Sequence, residues 1–71
     1  MYVIKVGEGF YVYFPPDRGE LIGIETVSPH FQNVHIFEDR NQAKKTKESL
    51  TNSNNYQFKD KKIEVKQIIL K

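Results

Sequence analysis

Tyr2, Ile4 and Val6 alternate with Val3 and Lys5 at the start of the chain. A period of two sends successive side chains to opposite faces of an extended strand, so residues 2–6 read as β. Residues 10–14 repeat the signal with aromatic and β-branched types throughout. Phe10, Val12 and Phe14 fall on one face, Tyr11 and Tyr13 on the other. Gly7-Glu8-Gly9 lies between the two runs. Glycine tolerates positive φ, so the pair reads as a tight hairpin. Pro15-Pro16-Asp17-Arg18-Gly19 is a second turn, in which proline presets φ, Asp17 caps and Gly19 closes.

Leu21, Ile22 and Ile24 predict a third strand over residues 20–27, and Gly23 inside it marks a bulge or a close backbone approach. Ser28-Pro29-His30 ends that strand. Val34 and Ile36 then face opposite to His35 and Phe37, which predicts a fourth strand over residues 33–37. Here the periodicity changes. Asp39 reads as an N-cap whose carboxylate accepts from first-turn amides, and Gln42 three residues on completes a capping-box pattern. The helix expected from residue 40 to 50 or 51 has only Ala43 and Leu50 apolar, at i and i+7, with Thr46 or Lys47 between them. That stripe is narrow, so the helix packs lightly on a sheet and shows most of its circumference to water. Residues 51–55, TNSNN, stop it, and a loop over residues 56–62 ends in charges. The last strand, residues 63–70, puts Ile63, Val65 and Ile69 on one face and Ile68 and Leu70 on the other. Apolar residues on both faces suggest a central strand, or an edge that pairs with a second copy.

The order is β-β-β-β-α-β. The expectation is an α+β fold in which residues 1–71 form one small domain, with a curved, mostly antiparallel sheet and one helix packed on one face. The open face would then carry Tyr11 and Tyr13, with Val3 and Ile68. Seventy-one residues leave no room for a second domain and make a marginal core, because roughly 60% of the unfolded chain's surface is buried at this size. The absence of cysteine excludes disulfide staples and thiolate metal sites and fits a reducing compartment. The opening MYVIKV lacks a charged region followed by a long apolar stretch, and no apolar run exceeds five residues. A cytoplasmic protein with no signal peptide and no membrane contact is the expectation.

The net charge of +2 hides an asymmetry. Residues 1–38 carry two basic residues, Lys5 and Arg18, against five acids; residues 39–71 carry nine basic residues against Asp39, Glu48, Asp60 and Glu64. A basic second half suits an anionic partner, but it suits a solvated lysine-rich surface better.

Catalytic chemistry needs a nucleophile, a base and an orienting group within mutual reach. His30, His35, Ser28, Ser49 and Ser53 fall in no local motif that would supply them. The five-residue spacing of the two histidines matches no metal site, Gly7-Glu8-Gly9 lacks the length and lysine of a phosphate loop, and Glu38 with Asp39 suits a helix N-terminus. The expectation is a non-enzyme with no cofactor and no metal.

Binding then needs a surface. Tyr11, Tyr13, Tyr56 and Phe58 are the expected protein-binding set, since tyrosine buries large area at low entropic cost, with Lys44, Lys47 and Lys61 as rim charges. The alternative is a weak single-stranded nucleic-acid binder in which Lys59, Lys61, Lys62 and Lys66 attract phosphates beside stacking aromatics.

The layout YVIKV…GFYVYF…VHIFEDRNQAKKTKESL…IEVKQIIL resembles a group of short proteins encoded in phages and prophages of low-GC Gram-positive bacteria. They open with a tyrosine-containing hairpin, pass through a phrase like Ile36-Phe37-Glu38-Asp39 into a helix with Ala43-Lys44-Lys45, and close with a β-rich tail. The resemblance implies a genomic context, and a partner of the kind some such proteins have, a host enzyme that is bound and inhibited. It carries no catalytic residues across.

Overall fold

Alternation on either side of a glycine turn produces the hairpin that the pattern predicts. β1 (Tyr2–Val6) runs into β2 (Gly9–Phe14), and Gly7 in the turn sits at φ 58°, a conformation open to glycine without a Cβ clash. The computed structural model describes residues 1–19 and 21–69. β3 (Ile24–Ser28) pairs with β2 from Phe10↔Ser28 to Phe14↔Ile24, and β4 (Ile63–Gln67) pairs with β1 from Tyr2↔Gln67 to Val6↔Ile63. All pairs are antiparallel, and the order across the sheet is β3-β2-β1-β4. One helix, α1 (Arg40–Thr51), lies over β1 and β4. The class is α+β, one antiparallel sheet with one helix, as the pattern implies.

Three elements depart from the expectation. The third strand begins at Ile24, because Leu21 and Ile22 lie in a bend and do not pair; Glu20 and Leu70 lie outside the described residues. The last strand ends at Gln67, short of the expected residue 70; of its two expected placements it takes the edge. The fourth strand over residues 33–37 does not form. Phe31–Asn33 is a 3₁₀ turn instead, and the chain beyond it forms no ladder, only an isolated bridge, Tyr2↔Phe37, and a backbone bond from His35 to Tyr11.

That bridge has a specific geometry. β1 and β2 pair only next to their turn, at Lys5↔Phe10 and Val6↔Gly9. Further along the two strands splay, and residues 35–37 fill the opening. The Phe37 amide donates to the Tyr2 carbonyl and the Tyr2 amide to the Phe37 carbonyl, both at 2.8 Å, while the His35 amide donates to the Tyr11 carbonyl at 3.0 Å. The segment alternates like a strand because it stands in place of one, bonding to β1 on one side and β2 on the other.

Core side chains follow from these pairings. Ile4, Val6, Tyr11, Phe37, Ala43, Leu50, Phe58 and Ile63 form one buried cluster on the helix side of the sheet. The two apolar helix positions do what their spacing implies: Ala43 and Leu50 are the buried residues of α1. The Asp39 carboxylate accepts from the Asn41 amide at 2.8 Å as the N-cap, whereas Gln42 is exposed and makes no return bond among the described residues. The helix covers only half the sheet, and the loop after it covers the rest. In that loop the Asn55 carbonyl accepts from the Phe58 and Lys59 amides, and Gln57 Oε1 accepts from Thr26 Oγ1 at 2.7 Å and from the Val27 amide at 3.3 Å. Phe58 is thereby carried under Tyr11, their ring centroids 6.3 Å apart. Gly23 confirms the close approach expected of it: a Cβ there would meet the Phe14 carbonyl oxygen at 2.5 Å.

Candidate functional site

The tyrosine face of β2 is the one that the helix and the following loop cover, which corrects the expected binding set. Tyr11 is buried in the core and Phe58 with it; neither meets solvent as a docking residue would. Strand alternation separates Tyr11 from Phe10, but it does not say which face the helix and loop will cover. Tyr13 is half-buried against the His35 ring at 5.8 Å, and Tyr56 stands alone and exposed. The four residues do not form one surface.

Tyr11 has a structural part. Its hydroxyl donates to the Glu25 carboxylate at 2.7 Å, and its ring stacks with Phe37 at 6.0 Å. Burial foremost, then the bond to Glu25, holds its ionisation well above the ordinary tyrosine range. The folded state therefore keeps this proton at a pH where the unfolded chain has lost it. The resulting stabilisation is complete below the ordinary value near 10 and is lost as pH rises towards the folded value. Tyr11→Phe is expected to lower stability at pH 7 by about 1 kcal/mol through the missing hydrogen bond. It should also flatten the decline in urea midpoint between about pH 9.5 and 11.5, the interval in which an ordinary tyrosine ionises. A variant as steeply alkali-sensitive as the parent would place the effect on another tyrosine.

The lysines divide into two groups. Lys62 and Lys66 both bind the Glu64 carboxylate, at 3.0 and 2.8 Å, while Lys59 and Lys61 are exposed in the preceding loop. Lys66 and then Lys62 hold the Glu64 carboxyl down to about 2, through charge-assisted hydrogen bonds that stabilise its ionised form. For the nucleic-acid alternative this leaves Lys59 and Lys61 without an acidic partner among the described residues, and Phe58 is unavailable for stacking because it is buried. Lys44 and Lys47 come together elsewhere, with Arg40, in a groove between α1 and β4 that is also lined by Tyr2, Glu64, Val65 and Gln67 and holds about 500 Å³. Arg40 is the residue that sequence reasoning missed. Its spacing of i, i+4, i+7 with Lys44 and Lys47 is readable in the chain, but the neighbouring strand is not.

A second surface lies at the opposite side of the sheet, on the connection from β2 to β3. Tyr13, Pro16, Leu21, Ile22, Gly23 and Glu25 line a shallow groove there. Leu21 is 96% exposed and Ile22 78%, and the paired residues Phe14 and Ile24 next to them are also exposed. On the face away from the helix, Phe31 of the 3₁₀ turn is exposed and packs edge-on against Phe10, with centroids at 5.5 Å.

His30 is exposed, and His35 is a half-buried ring wedged between Tyr11, Tyr13 and Phe37. Among the described residues no three His, Asp or Glu side chains converge as a metal centre requires, and no helix is long and apolar enough to cross a membrane. Comparison with known proteins returns no match: no family model, curated protein or solved structure is similar to this chain.

Proposed function

We propose that this chain is a non-enzymatic protein-interaction module that docks through the apolar tip of its β2–β3 hairpin. The observation that carries the reading is the exposure of four large apolar side chains at one end of the hairpin: Leu21 and Ile22 beside the groove, and the cross-strand pair Phe14 and Ile24, which alternation turns to the other face of the sheet. A chain with so small a core gains nothing from leaving them in water. Each is worth roughly 1.5–3 kcal/mol when fully buried, and a cluster of this kind on a soluble domain marks a docking surface. Tyr13, which lines the groove with Leu21 and Ile22, supplies a ring with a polar tip, the combination favoured at interface centres. Of the expected binding set it is the member that belongs to this surface.

The resemblance to phage-encoded proteins supports a partner in a Gram-positive host, with inhibition of a host enzyme as the outcome of binding. Retention of host proteins on the immobilised wild-type chain, set beside a Leu21→Asp, Ile22→Asp variant, tests the reading. Both positions are exposed, so the variant is expected to melt with the parent, and it should lose the specifically retained protein. Retention of every partner by a normally folded variant would refute the assignment.

A further inference from the structure

We propose that the outer edge of β4 and the cationic groove beside it take an extended acidic peptide, which joins the sheet as an additional strand. The proposal concerns the edge opposite to the hairpin tip and is independent of the function proposed for that tip. β4 is the last strand in the order β3-β2-β1-β4. The Gly7 amide donates to the Lys62 carbonyl, and the Ile68 amide to the Met1 carbonyl. In an antiparallel pair the bonding residues alternate, so Glu64 and Lys66 also direct their backbone groups to β1. Ile63, Val65 and Gln67 then direct their N–H and C=O groups outward. The other edge is treated differently: on β3, Gln57 occupies the outward Val27 amide. Nothing among the described residues does this for β4.

Charge selects the occupant. Arg40, Lys44 and Lys47 line the groove above this edge, and none of them is in an ion pair among the described residues. The one carboxylate in the groove, Glu64, is already held by Lys62 and Lys66. From residue 40 to 47 a helix advances about 10 Å. Alternate side chains of a strand stand ~6.8 Å apart, so two or three acidic residues at every second position of an added strand come within reach of the three cations. The added strand also satisfies both donors and acceptors along the edge, whereas a phosphodiester chain offers acceptors only and would leave the outward carbonyls unbonded. A second copy of β4 in the same place would bring two cationic rows to one junction.

The probe is an acetylated, amidated octapeptide of alternating valine and glutamate, followed by amide chemical shifts of the full chain. The expected result is saturable binding with the largest shifts, and new exchange protection, at the Ile63, Val65 and Gln67 amides. Lys44→Glu with Lys47→Glu should weaken it about tenfold or more, as loss of two charge-assisted contacts implies. Lys44→Gln with Lys47→Gln provides the comparison if the first variant folds poorly. The same peptide N-methylated at two adjacent central residues should not bind. Equal binding of the methylated peptide, equal or tighter binding of a thymidine octanucleotide, shifts confined to other elements, or a dimer already occupying β4 in sedimentation would each overturn the proposal.

Discussion

Phe58→Ala is expected to remove about half of the chain's folding stability at 25 °C. Phe58 is 2% exposed and lies beneath Tyr11, in the part of the sheet that the helix does not reach. Truncating a buried phenylalanine to alanine costs about 3–5 kcal/mol, because the neighbours collapse only partly into the space. A domain of this length has a total stability of roughly 4–10 kcal/mol, so that single loss removes about half of it. The loop cannot compensate, since its hydrogen bonds from Asn55 and Gln57 position Phe58 and are useless once the ring is gone. Circular dichroism and a urea titration would show a midpoint at about half the parent's urea concentration. A variant with a cooperative transition close to that of the parent would mean that the loop is an ornament and that α1 alone covers the sheet.

The second large effect is expected at Ala43, which is fully buried where α1 meets the sheet. Ala43→Asp places a carboxylate in that seam. Leaving it ionised there costs about 3 kcal/mol or more, and the extra atoms also strain a tight contact. The folded state responds by holding the carboxyl protonated, which raises its pKa above that of the unfolded chain. The sign follows: the folded form binds more protons, so the variant regains stability as pH falls. Thermal melts should show a deficit relative to wild type that is larger at pH 7 than at pH 4. A deficit of the same size at both values would make overpacking the cause, and an unchanged midpoint would remove Ala43 from the core.

These two residues also show how far the sequence speaks. Ala43 and Leu50 are legible because a helix has one periodicity and this one has only two apolar positions to bury. The β1–β2 turn and the Asp39 cap are legible for a similar reason, since turn and cap chemistry is local. Phe58 is not legible as core. It sits in a polar loop, and its burial depends on Gln57 reaching β3, some thirty residues away in the chain. Leu21 and Ile22 err in the other direction. Their hydrophobicity predicts a strand, yet nothing pairs with them and they stay in water. The two faces of β2 are separable by alternation but not assignable, because Phe10, Val12 and Phe14 are as apolar as Tyr11 and Tyr13. Of the groove, the helix cations can be read from their spacing. The edge beside them needs the strand order, which depends on pairings between the two ends of the chain.

The insertion of residues 35–37 between β1 and β2 bears on how this molecule reaches its native state. A hairpin normally zips from its turn outward and needs no help. Here zipping halts after Lys5↔Phe10, and Tyr2 finds its partner only when Phe37 arrives from some thirty-five positions downstream. Closing so long a loop precedes any reward from it. An excised fragment holding only the first two strands should therefore lack the outer half of its native shape, and refolding should be slower than the short hairpin at the front of the chain suggests.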